Sequence, residues 1–178
     1  MTWWLPKRAP APEMIQLPSP HSRTREQAVS TLVVHAMGEW IVDDEGRFRH
    51  ATDWLDHLRL SVHAFILPDG RIIQTLDPKH FVAFHVRGVN NISAGCEFLI
   101  AGPQSYHDLL EKMRDTTHPP YTEAQYRSGG FLYGRWARTL GLPWAAVQGH
   151  EAIDPARKED PGVSFDWDRL EYWFDRVA

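Results

Sequence analysis

The stretch Gln148–Trp167 carries the side chains best suited to chemistry: His150, Lys158 eight residues on and Asp160 ten residues on. Pro155 and Pro161 interrupt it, and a proline removes a backbone donor and breaks a helix, so the stretch reads as a loop. Such a loop can fold two ligands onto one ion. Zinc accepts imidazole nitrogen and carboxylate oxygen, and a catalytic zinc site combines three protein ligands with an open fourth position. His150 and Asp160 supply two of these. The third has to come from elsewhere, and His35, at the end of the β-branched run Thr31–Ala36, is the best-placed candidate by type and context. The zinc-peptidase pattern His-Glu-x-x-His is missing, because Gly149-His150-Glu151 has no second histidine at the required spacing.

The elements that must position these residues follow from periodicity. Thr31–Ala36 fits a buried strand that delivers His35 to its end. Residues 51–59 place Trp54, Leu55 and Leu58 at helical spacing after an acidic loop, Asp43–Gly46. Val62–Leu67 and Arg71–Leu76 flank Pro68-Asp69-Gly70 and form the clearest hairpin. Phe81–His85 and Gly95–Gly102 also read as strands, separated by a loop around Gly88–Asn91. Alternation along the second puts Glu97 with Gly95 and Leu99, and Cys96 with Phe98 and Ile100 on the opposite face. Helices are expected over 106–114 and 123–140, the latter opened by capping-box spacing between Thr122 and Gln125. The fold class is therefore α/β: one domain with a central mixed sheet of about four or five strands and helices packed on it. Residues 1–24 are proline-rich and weakly periodic, an irregular arm ahead of a catalytic domain over 25–178.

Composition narrows the function. A chain of 178 residues with 43% hydrophobic residues holds one sizeable core. A net charge of −4 without a basic block speaks against a nucleic-acid partner. No run approaches the ~18 apolar residues of a membrane helix, and Met1–Pro10 lacks the apolar core of ~7–15 residues that a secretory leader needs. Synthesis in the cytoplasm and no membrane insertion are the expectation. The single cysteine, Cys96, rules out an internal disulfide framework and is assigned to the core.

At this point the ordered motifs matter more than any one of them. Val33-Val34-His35, Leu60–Ile66 followed by Pro68–Gln74, Ala83-Phe84-His85, Asn91–Glu97, Tyr121–Tyr126, Gly149-His150 and Arg157-Lys158-Glu159-Asp160-Pro161-Gly162 with Phe165-Asp166-Trp167 resemble the zinc N-acetylmuramoyl-L-alanine amidases. The resemblance runs from about Thr31 to Trp173. It implies the fold shared with peptidoglycan recognition proteins and phage lytic amidases, with Zn2+ as cofactor and peptidoglycan or a muropeptide as substrate. Carried over residue by residue, it implies His35, His150 and Asp160 as zinc ligands, Glu97 as the acid/base carboxylate and Lys158 as the cation beside the reacting carbonyl. The bond implied is the amide between N-acetylmuramic acid and L-alanine. Phe84-His85-Val86-Arg87 departs from the more usual Trp-His-Ala-Gly, and the loop from His85 to Ser93 is short compared with the muropeptide-recycling amidases. That shortness looks more like the phage lytic enzymes and implies intact cell wall as substrate, reached through a holin or another signal-independent route.

Three further residues are candidates for substrate: His85, which suits either the substrate or the surroundings of the metal, Arg87 through bidentate binding of a stem-peptide carboxylate or else in a surface salt bridge, and Trp40 by stacking. His63 is read as a hydrogen-bonded, partly buried residue, and His21, His50, His57, His80, His107 and His118 as solvated. A monomer is favoured. The rival from another class is a peptidoglycan-binding module that keeps the groove and lacks hydrolysis; loss of a zinc ligand would mark it, and all three ligands are in place.

Overall fold

The apolar runs become the centre of one twisted sheet. A computed structural model describes residues 11–176. In chain order the strands are β1 (Met14–Gln16), β2 (Ser22–Thr24), β3 (Thr31–Val42), β4 (Phe48–His50), β5 (Ala64–Ile66), β6 (Ile72–Gln74), β7 (Phe81–Ala83), β8 (Ser93–Gln104) and β9 (Val147–Gly149). The helices are α1 (Ala51–His57), α2 (Tyr106–Arg114), α3 (Glu123–Leu140), α4 (His150–Ile153) and α5 (Trp167–Phe174).

The main sheet runs β1-β6-β5-β8-β3-β4, with β9 also paired to β3. Its central strands β3 and β8 are parallel and buried along most of their length, which is why they read as continuous apolar runs rather than alternating ones. The hairpin forms as expected: β5 and β6 pair antiparallel, and Gly70 takes φ +88°, the left-handed conformation its turn requires. One face of the sheet packs on α3 and α5 around Phe98, Leu132, Tyr133 and Leu170, all fully buried; Cys96 lies in this core. The other face carries a smaller cluster under α1, including Met37, Leu55, Val62, Phe65 and Leu99.

Local sequence sets the helix ends. Thr122 Oγ1 accepts the Gln125 amide at 3.1 Å and Gln125 Oε1 accepts the Thr122 amide at 3.0 Å, the expected capping box. The Gln125 side chain then donates to the carbonyls of Ile66 and Leu99, tying α3 to β5 and β8. α2 and α3 span the residues the sequence predicts.

Several expectations are revised. His35 lies within its strand and not at the end, because β3 keeps pairing with β8 and β4 past Ala36 as far as Val42. Among the described residues the main sheet has seven strands, and β7 leaves it to pair with β2 in a two-stranded ribbon. The arm read over residues 1–24 is not irregular throughout: β1 is an edge strand parallel to β6, and β2 pairs with β7; residues 1–10 lie outside the described residues. The stretch from 148 is not wholly a loop, since β9 and the one-turn α4 precede Pro155. These elements are three or four residues long, too short to show a period, and tertiary pairing forms them.

Candidate metal centre

Parallel pairing places the first two groups. His35 on β3 is the register partner of Glu97 on β8, and Val34 is that of Gly149 on β9. His150, the first residue of α4, therefore starts beside the strand that carries His35. The turn after α4 brings Asp160 back, held because its carbonyl accepts the Glu151 amide at 3.0 Å. Tyr121 Oη donates to the Pro161 carbonyl at 2.6 Å and fixes the next residue.

Three side-chain atoms converge there. His35 Nδ1 is 3.0 Å from His150 Nδ1 and 3.0 Å from Asp160 Oδ2, and His150 Nδ1 is 3.1 Å from the same oxygen. All three residues are buried. The two imidazole nitrogens and the carboxylate oxygen face one common point, where a single cation would take a lone pair from all three. A tetrahedral zinc with ligands at about 2.0–2.1 Å separates them by about 3.3 Å, so the triangle fits with a small expansion. The residues present fit a divalent metal, and the nitrogen and carboxylate donor set suits zinc. A second group, His107, Asp108 and Glu111, is exposed, and its Asp108 caps α2.

Charge is organised around this cluster. Burial works against ionisation of Asp160, yet hydrogen bonds from His150 and His35 outweigh it and hold the carboxyl well below the usual range. Burial lowers His35 and keeps it neutral, the form that ligates. Glu97 is pushed well above the usual carboxylate range, first by burial and then by the Asp160 charge, with Lys158 opposing. Its Oε2 is buried without a protein hydrogen bond. A carboxyl of this kind, aimed into a groove, is a proton carrier in waiting.

The groove has a volume of about 440 Å³ and opens over His35, Glu97, Lys158 and Asp160. Its walls are largely apolar and include Trp54 of α1 and Tyr106 and Leu110 of α2, with Leu58 just after α1. The five residues expected to carry the chemistry all line it, as does His85. Trp40 and Arg87 do not. Trp40 packs edge-on against His50 across the β3–β4 pair, since a register shift after Gly38 redirects the strand end, and Arg87 points to solvent. The groove instead uses Trp54 and Tyr106, which sequence reading passed over because each also fits an amphipathic helix.

The other histidines divide by burial. His63 is fully buried, its Nδ1 accepting the Gly95 amide at 3.1 Å and its Nε2 facing the Phe81 carbonyl at 3.1 Å. His57, His80, His107 and His118 are exposed, whereas His21 contacts Asp56 and His50 caps α1, so these two are half-buried rather than solvated.

Residues 25–163 match the family model for N-acetylmuramoyl-L-alanine amidase. The chain belongs to this amidase family. It is 31% identical over 189 residues to the 1,6-anhydro-N-acetylmuramyl-L-alanine amidase AmpD of Salmonella typhimurium strain LT2, covering 93% of this chain and 92% of that protein. A crystal structure of an AmpD derivative superposes with a TM-score of 0.67 at 27% identity, covering 93% of this chain and 95% of the other. The Drosophila peptidoglycan recognition protein SA shares the fold, with a TM-score of 0.60 at 15% identity over 92% of each chain. In this amidase-family chain, the buried His35–His150–Asp160 triangle and Glu97 therefore sit within the matched span.

Proposed function

We propose that the chain is a zinc-dependent hydrolase of the amide between N-acetylmuramic acid and L-alanine, with residues 25–178 as its catalytic domain. The observation that carries this reading is the buried convergence of His35, His150 and Asp160 beside Glu97, in a chain of the amidase family. A bound zinc supplies Lewis acidity to the amide carbonyl and makes water acidic enough to react near neutral pH. His35, His150 and Asp160 hold it. Glu97 takes a proton from the attacking water as the carbon–oxygen bond forms, then returns it to the L-alanine nitrogen as the carbon–nitrogen bond breaks. Its raised affinity for a proton suits the second half of that exchange. Lys158, lining the same groove, stabilises the negative oxygen of the tetrahedral intermediate, an interaction worth about 3–4 kcal/mol where such donors have been removed.

The substrate we favour is a soluble anhydro-muropeptide. A relative at 31% identity over nearly the whole chain carries that substrate in its name, which outweighs the leaning toward intact wall drawn from the short loop after His85. The test is mass spectrometry of anhydro-muropeptides and of purified cell wall, each incubated with the zinc-loaded protein with and without EDTA. Peptides beginning with L-alanine from the soluble substrate, abolished by chelation, are expected. Release from wall alone would restore the lytic reading, and binding without release from either would favour a recognition module.

A further inference from the structure

We propose that His85 is the positioning residue that sets the tautomer of His35, so that His35 presents a lone pair rather than a proton to the metal. The inference rests on His35, His150 and Asp160 being the ligand set.

A neutral imidazole has one N–H and one lone pair. His35 turns Nδ1 toward His150 and Asp160, and its Nε2 lies 2.8 Å from His85 Nδ1. If Nδ1 ligates, the proton of His35 is on Nε2 and has to be donated. His85 Nδ1 is the acceptor in reach, so the His85 proton sits on Nε2, which is 3.2 Å from Ser93 Oγ. The order of donors then runs outward from the ligand triangle through His35 and His85 to Ser93, with each ring nitrogen used once.

The surroundings are shaped to hold this line. Asn90 Oδ1 accepts the backbone amides of His85 at 3.0 Å and Val86 at 2.7 Å, fixing the loop that carries the ring. The Arg25 guanidinium donates to the carbonyls of Phe81 at 2.9 Å and Ser93 at 2.8 Å, fixing the relay's outer end. A Cβ on Gly95 would stand 2.4 Å from His85 Nδ1 and 3.0 Å from His35 Nε2, so only glycine leaves room for the two rings to meet. The sequence leaves His85 between the substrate and the surroundings of the metal; both of its ring nitrogens are engaged by protein, leaving none to bind a substrate polar group. Outer partners of metal-bound histidines fix ring orientation and tautomer, and removing one costs about 10–100-fold in metal affinity. A neutral imidazole does this here without adding negative charge.

The deciding measurement needs no variant: long-range 1H–15N NMR on the 15N-labelled, zinc-loaded wild-type protein. His35 is expected with Nδ1 on zinc and a proton on Nε2, and His85 as the neutral Nε2–H tautomer. A His85 proton on Nδ1 would overturn the proposal. Chelator competition with zinc then compares variants. His85→Ala should bind zinc about 10–100-fold more weakly, and His85→Asn, whose Oδ1 can take the place of the acceptor, should stay within about threefold of wild type. At saturating zinc, KM is expected to be unchanged in both. Wild-type zinc affinity with a raised KM in His85→Ala would make His85 a substrate contact and remove the positioning role. A wild-type protein that binds no zinc would instead refute the ligand set, and this inference with it.

Discussion

His35 and Glu97 are register partners on adjacent parallel strands, and both side chains face the groove. The proposed metal ligand and the proposed acid/base carboxylate are thus spaced by the strand separation of the sheet, about 4.8 Å, rather than by a loop. Rigid elements hold such constellations to tighter tolerances than loops do. The loop-borne members, Lys158 and Asp160, are then brought to a fixed frame.

Glu97→Gln keeps the shape and removes the proton carrier. Turnover of muropeptide should fall about 10²–10⁴-fold while zinc content stays at one per chain. Full turnover in the variant would take the acid/base role away from Glu97. Metal analysis beside steady-state kinetics checks both halves.

His150→Ala removes one corner of the ligand triangle. Zinc and activity should be lost together, read by elemental analysis after dialysis. Stoichiometric zinc in the variant would mean that His150 is not a ligand.

Metal binding should stabilise the fold, because the unfolded chain holds no preformed site. At free zinc about 1,000 times Kd the gain is about 4 kcal/mol. For a chain of this length that is a rise in Tm of about 8–16 °C, reversed by EDTA in a thermal scan. An unchanged Tm would argue against a folded-state metal site.

Acid should destabilise the metal-free protein from the histidine range downward. Burial lowers the His63 pKa to about 3, against an ordinary value near 6.5, so between those values the unfolded chain binds a proton that the folded chain refuses. Stability is intact above pH 6.5 and erodes as pH falls, by at most about 1.4 kcal/mol per pH unit for this one group. His35 and His85 are lowered in the same direction. Asp160, held low, adds its own loss only below the ordinary carboxylate range. Tm measured at pH 7, 6 and 5 should drop stepwise, with His63 ring signals still neutral at pH 5.

Gly95→Ala forces a methyl group into the space where His35 and His85 meet. Overpacking of this kind costs about 1–3 kcal/mol, and here it should also weaken zinc binding by parting the two rings. Denaturant unfolding and chelator competition on the same sample separate the two effects, and wild-type values in both would show that the backbone yields easily.

Much of the local structure is written in short-range patterns of the chain. The β-branched run that carries His35, the Pro-Asp-Gly hairpin, the Thr122–Gln125 cap and the alternation that parts Cys96 from Glu97 each depend on neighbours within a few residues, and each appears in the structure; the end of the strand does not, since pairing with β8 and β4 carries β3 on to Val42. The three candidate ligands are legible as residue types in ordered motifs. Their meeting depends on the fold, because His35 and His150 are 115 positions apart and a parallel register, invisible to any local pattern, places β9 against β3. The same holds for Trp40 and Arg87, whose chemistry suits a substrate but whose places in the fold lie outside the groove. It holds above all for His85, since which proton a ring carries depends on the partner that the fold brings to its other nitrogen.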